Sequence, residues 1–149
     1  MGRMVSRKAM TASKRREAPR LPRAGPLPRP TSPGEAREYL KAEAFAAPNV
    51  QTVVFTATEF TSICPRTGQP DFGSIVIAYT PAERCLESKA LKVYLWSYRD
   101  EGAFCEALAA RIADDIVHAI QPRGVRVAVH QNVRGGIGLV ATAVRGSAP

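Results

Sequence analysis

The stretch TEFTSICPRTGQPDFGS (residues 58–74) sets Cys64 and Asp71 on either side of a run of Pro, Arg, Thr, Gly and Gln. Before it, Val50 to Phe60 is rich in Thr and Val; after it, Ile75, Ile77 and Tyr79 alternate with Ser74, Val76 and Ala78. An alternation of period two is that of a pleated strand, whose side chains point in turn to its two faces. The pattern predicts two strands joined by an irregular segment that carries a thiol and a carboxylate.

Further along, LESKALKVYLWSYRDEG (86–102) is nearly continuous in apolar residues from Ala90 to Trp96, and predicts a helix starting near Ser88. From Ala103 to Gln121 the helical period is plain: Phe104, Leu108, Ile112, Ile116 and Ile120 recur every four residues, with Arg111, Asp114 and His118 off that line. Pro122 and Gly124 supply the stop. Val125, Val127 and Val129 then alternate with Arg126, Ala128 and His130, and RGGIGLVATAV (134–144) restarts a strand after the turn signal Gly135-Gly136. The order is ββααββ, an α+β unit with one small antiparallel sheet, helices on one face and open edges, and open edges are normally covered or joined to another chain.

Upstream, TSPGEAREYLKAEAF (31–45) predicts a short helix, with Ser32 as N-cap, Pro33 in the first helical position and Glu35 as the capping acid. Before that the composition changes. Residues 1–34 hold nine Lys or Arg against one acid, Glu17, and six of the twelve prolines, whereas residues 35–149 hold twelve basic and twelve acidic side chains. The net charge of +8 thus belongs to the first segment alone. With so few apolar residues it cannot offset the entropy of ordering, which predicts a basic, Pro-rich disordered tail over 1–34 and one folded domain over 35–149. The tail's charge fits a solvated extension, or an arm that touches RNA.

At 149 residues and 16.1 kDa, with 45% hydrophobic residues, the chain has material for one modest core and not for a two-domain enzyme. No stretch approaches the roughly 20 apolar residues that cross a bilayer, which predicts a soluble protein. Cys64, Cys85 and Cys105 make an odd set without a CxxC pair, which argues against a disulfide framework and for a reducing cytoplasm. His118 and His130 lack a second ligand type at metal spacing, so no metal site is expected. On composition alone Cys64 is as readily a buried inert thiol as a nucleophile, and Asp71 as readily a turn former after Pro70 as an acid.

The strings EFTSICPRTGQPDF, LESKALKVYLWSYR and GAFCEA, in that order and spacing, resemble the NADPH-dependent 7-cyano-7-deazaguanine reductases, the single-module QueF-type nitrile reductases of queuosine biosynthesis. The likeness covers about residues 50–136. It implies a tunnelling fold, in which ββααββ units join edge to edge into an oligomeric barrel with active sites between subunits. It implies further that Cys64 adds to the nitrile carbon to give a covalent thioimide, and that Asp71 donates a proton. Leu86, Glu87, Ser88, Cys105 and Glu106 would line the base pocket, a carboxylate being suited to the N–H edge of a guanine-like ring. Lys89, Lys92 and Arg134 would reach the phosphates of NADPH. Two departures stand out: Cys105 occupies a position where the family usually has histidine, and the prolines that commonly surround Arg134-Gly135-Gly136 are missing.

Two other readings compete. A tunnelling-fold pterin or purine hydrolase would need a Cys/His ligand set if it used zinc, and the two histidines do not supply an evident one. A nucleic-acid-binding protein acting through its tail would lack a readout surface, because the body is formally neutral and has no basic patch interleaved with aromatics. The expected partners are therefore a small 7-deazaguanine and further copies of the same chain, with neither a membrane nor direct nucleic-acid contact.

Overall fold

The structure is a computed structural model that describes residues 19–147 and 149. In chain order its elements are α1 (Pro33–Glu43), β1 (Phe45–Ala46), β2 (Val53–Ile63), β3 (Pro70–Thr80), β4 (Arg84–Cys85), α2 (Ser88–Trp96), a 3-10 turn (Ser97–Asp100), α3 (Cys105–Ile120), β5 (Gly124–Arg134) and β6 (Ile137–Gly146). Four strands form one antiparallel sheet in the order β2-β3-β5-β6, and β1 pairs with β4 as a two-residue ribbon. Between β3 and β5 lie the two predicted helices, so the ββααββ order holds, with α1 and the short ribbon added to it.

The alternation in β3 does what period two predicts. Ile75, Ile77 and Tyr79 are buried against the helices, as are Val125, Val127 and Val129 of β5. From the other side α3 supplies Leu108, Ile112, Ile116 and Ile120, all buried; each such side chain contributes about 1.5–3 kcal/mol by leaving water. Phe104 departs from the expected stripe. It is the N-cap, with extended backbone (φ −69°, ψ 148°), so it does not share the helical rotation of the residues after it and stays exposed. At the other end α3 stops on Gln121 in the left-handed conformation (φ 47°), one residue before Pro122.

A buried polar network ties the helices together. The Tyr94 hydroxyl donates to Asp115 Oδ2 at 2.7 Å and lies 2.8 Å from the Tyr98 hydroxyl, while Arg37 of α1 comes within 3.6 Å of Asp115. Burial first, and then the neighbouring hydroxyl and carboxylate, push the Tyr94 phenol far above its ordinary range, so it stays a neutral donor.

Of the expected tail, residues 1–18 lie outside the described residues. The remainder is held against the body rather than free of it: Leu21 is buried and its N–H donates to Glu43 Oε1 at 2.9 Å, and Arg29 pairs with Asp100 and lies 5.8 Å over the Trp96 ring. Two apolar anchors, Leu21 and Leu27, are what the tail's composition concealed. Ser32 caps α1 as expected, accepting from the Glu35 N–H at 3.2 Å. Glu35 reaches one residue further back than a capping box would, to the N–H and hydroxyl of Thr31.

Candidate functional site

The hairpin of β2 and β3 pairs Ser62 with Asp71 and Ile63 with Pro70, which leaves residues 64–69 as a short loop at its end. Cys64 is the first residue of that loop and is partly exposed. Asp71 is not in the turn; it is the second residue of β3, facing inward with its side chain 6% exposed. The inward direction follows from the pleat, since Asp71 and Gly73 share the face of Ile75 and Ile77.

Arg134 ends β5 and reaches back across the sheet to this corner. Its guanidinium donates to Asp71 Oδ1, the acid at the end of the hairpin that carries Cys64. What aims it is the turn that follows: Gly135 and Gly136 have φ of 56° and 82°, the pair of positive values that a tight hairpin matched to strand twist requires. Hydrogen bonds from the Thr67 hydroxyl, from the N–H groups of Arg66 and Thr67, and finally from Arg134 pull the Cys64 thiol down to about 7. Near neutral pH much of Cys64 is thiolate, the reactive form.

Cys105 opens α3 beside this corner. It is buried with its Sγ 3.5 Å from the Val129 carbonyl, and burial, followed in smaller part by the charges of Glu106 and Asp71, pushes its thiol up. It lines a small cavity with Ser62, Asp71, Gly73 and His130. Glu106 is exposed on the first turn of α3.

The chain does not bring all the expected residues to this corner. Leu86 is buried and donates its N–H to the Tyr79 hydroxyl at 3.0 Å, which puts Leu86, Glu87 and Ser88 at the far end of β3. Tyr79 stands eight residues from Asp71 along that strand, roughly 27 Å at about 3.4 Å per residue. Glu87 acts locally as the N-cap of α2, with Oε2 accepting from the Ala90 N–H at 2.8 Å. Lys89 donates to the Pro22 carbonyl at 3.2 Å. Lys92 is exposed and, with Arg99 and Trp96, lines a groove of about 540 Å³ between β2 and α2.

One contributor was missed in the sequence. Thr67 lies three residues after Cys64, and a hydroxyl in a turn is a common local donor, which is the signal that marks it. Among the described residues, no three His, Cys, Asp or Glu side chains converge as a metal would need, and no helix is long and apolar enough to cross a membrane.

Residues 70–149 match the family described as QueF-like protein, a span that takes in Asp71 and begins after Cys64. A protein of Anaeromyxobacter sp. (strain Fw109-5) named NADPH-dependent 7-cyano-7-deazaguanine reductase is 56% identical over 97 residues, covering 65% of this chain and 80% of the relative. One of the same name from Halorhodospira halophila is 49% identical over 98 residues, 64% of this chain and 83% of its own. Among solved structures, the apo form of the archaeosine synthase QueF-Like superposes with a TM-score of 0.64 at 24% identity, covering 68% of this chain and all of that one. That last likeness speaks for the fold alone.

Proposed function

The chain belongs to the QueF-like protein family, and on that premise we propose that it reduces the nitrile of 7-cyano-7-deazaguanine to 7-aminomethyl-7-deazaguanine with NADPH, as a cytoplasmic enzyme of queuosine biosynthesis. The observation that carries this reading is the end of the β2–β3 hairpin, where an ionisable, partly exposed Cys64 opens the loop and a buried Asp71 paired with Arg134 follows it on β3.

A nitrile is a poor hydride acceptor. The Cys64 thiolate forms a C–S bond to the nitrile carbon, one electron pair of the triple bond passes to nitrogen, and nitrogen takes the proton of the neutral Asp71 carboxyl. The product is a covalent thioimide with Asp71 left as carboxylate, so one hard step becomes two easier ones. NADPH, when bound, supplies the hydrides, two per nitrile. A dinucleotide is a polyanion, and Arg134 and Lys92 offer donors that solvent reaches; Lys89, though it donates to Pro22, keeps further ammonium hydrogens free.

Glu106, on the exposed first turn of α3, would accept from the ring N–H groups of the base, beside Cys105. Leu86, Glu87 and Ser88 complete that pocket from a second copy of the chain, which resolves their distance from Asp71 within one chain. The open edges β2 and β6 are where copies would join, sheet to sheet, into the barrel of a tunnelling fold.

The test is incubation with 7-cyano-7-deazaguanine in the absence of NADPH, followed by intact-mass measurement. A single adduct that maps to Cys64 and is missing in Cys64→Ala is the expected result. No adduct at saturating ligand overturns the reading.

A further inference from the structure

Ile63, the last residue of β2, is held from both sides. Across the hairpin it pairs with Pro70 of β3, and on its other side it forms a parallel bridge with Gly102. Two backbone hydrogen bonds make that bridge: the Ile63 N–H donates to the Glu101 carbonyl at 2.9 Å, and the Ala103 N–H donates to the Ile63 carbonyl at 3.2 Å. Beyond Cys64, Pro65 lies against Gly102, where a Cβ would stand 3.6 Å from the Pro65 Cα and 3.7 Å from its Cβ. Residues 101–103 therefore touch both chain neighbours of Cys64. The same segment runs on into α3, so that Glu106 follows shortly after Ala103. It is itself anchored: the Glu101 N–H donates to the carbonyl of the buried Tyr98 at 3.0 Å, and the Glu101 carboxylate lies 3.8 Å from Arg111 of α3. Within the sheet β2 pairs with β3 alone, so this bridge is confined to the one residue beside Cys64.

We infer that residues 101–103 are a positioning element that sets the Cys64 sulfur against a base held by Glu106. The inference rests on the reductase reading, in which Cys64 attacks the nitrile carbon and Glu106 accepts from the ring. Glu106 on α3 fixes where the ring lies, and the end of β2 fixes where the thiol lies, so the approach of sulfur to carbon depends on how those two elements are joined. Attack needs the reacting atoms about 3–3.5 Å apart and aligned, and a displacement of about 1 Å can cost about 10² in rate. A backbone bridge between a strand and the start of a helix gives that precision, which a contact between long side chains would not.

Two variants disturb the bridge by different routes. Ala103→Pro removes the N–H that donates to Ile63 and leaves the side chains of the site in place. Gly102→Val keeps both hydrogen bonds and adds two methyl groups to a Cβ that already meets Pro65. The full chain is then measured without NADPH in three ways, with the melting temperature to identify folded variants. Intact mass gives the rate of adduct formation at saturating 7-cyano-7-deazaguanine. Calorimetry gives the affinity for 7-aminomethyl-7-deazaguanine, which has the ring and no nitrile. Alkylation by iodoacetamide reads the Cys64 thiol by itself, because Cys85 and Cys105 are buried. Adduct formation is expected to fall about 10- to 100-fold, while affinity and alkylation stay within about twofold of wild type. A folded variant of either kind that forms the adduct at the wild-type rate overturns the inference, and so does an affinity or an alkylation rate that changes as much as the adduct rate. Failure of the reductase reading looks different: the wild type is alkylated at Cys64 yet forms no adduct with the nitrile, and the inference falls with it.

Discussion

Asp71 must be neutral to give a proton to a nitrile nitrogen, yet in the resting chain it accepts from the Arg134 guanidinium. The two demands are met if Arg134 can leave. Its side chain is 52% exposed and sits at the start of a two-glycine hairpin, so it can turn to solvent or to a phosphate and leave Asp71. Asp71→Asn keeps size and inward direction but carries no acidic proton. Turnover measured by NADPH oxidation is expected to fall by about 10²–10⁴. The melting temperature should move little, because the partner left behind is half solvated and not a stranded buried charge; a melting temperature that falls in step with activity would make Asp71 a structural residue instead. Glu106 is exposed and free to meet a ligand. Glu106→Gln sets an N–H against an N–H of the base, at about 1–3 kcal/mol, so calorimetry should find affinity for the deazaguanine lowered roughly 5- to 150-fold. Unchanged affinity takes Glu106 out of the pocket. Cys105, where the family usually has histidine, is kept as a neutral thiol by burial and cannot relay protons as an imidazole would.

At the scale of elements, α3 ends in a way that its sequence only half announces. Pro122 predicts the stop, but the left-handed residue before it is Gln121 rather than glycine, and a side chain at φ 47° is strained against its own carbonyl. Gln121→Gly is expected to raise stability by about 0.5–1 kcal/mol, less than the full strain because glycine also gains freedom in the unfolded chain. Urea melts would measure it, and a loss of stability would mean that Gln121 contributes more than its backbone. The strands and helices themselves were legible, because their signal is local: Ile75, Ile77 and Tyr79 alternate, and Leu108, Ile112, Ile116 and Ile120 recur at the helical period. Phe104 fitted the same period and failed it, since periodicity does not say where a helix begins. That Cys64 and Asp71 flank one loop was legible through the motif, whereas what surrounds them was not. Arg134 as partner of Asp71 and the Asp115–Tyr94–Tyr98 network depend on which segments the sheet and helices bring together. Gly73 belongs with them, since a Cβ there would stand 2.1 Å from the His130 carbonyl oxygen, a contact set by how closely β3 approaches β5.

The molecule as a whole has one covered face and one bare one. Helices cover the inward side of the sheet, while Val54, Phe72, Val140 and Val144 stand exposed on the other, and both β2 and β6 are unpaired edges. Apolar side chains beside open edges are a hazard for a solitary chain and an asset for one that assembles. Assembly would also account for Glu87, which lies at the Tyr79 end of β3 while Cys64 lies at the Asp71 end. If a site takes Cys64 from one subunit and Glu87 from the next, two dead variants can repair each other. Cys64→Ala and Glu87→Ala, each without turnover alone, are co-expressed with different tags and purified through both. A site is intact only where its Cys64 comes from a Glu87→Ala subunit and its Glu87 from a Cys64→Ala subunit, which random mixing provides for about one site in four. Recovery of up to about a quarter of the wild-type rate is the expected outcome. Mixed oligomers that stay inactive, with Glu87→Ala still able to form the Cys64 adduct at the wild-type rate, would place Glu87 outside the site and return it to its local task of capping α2.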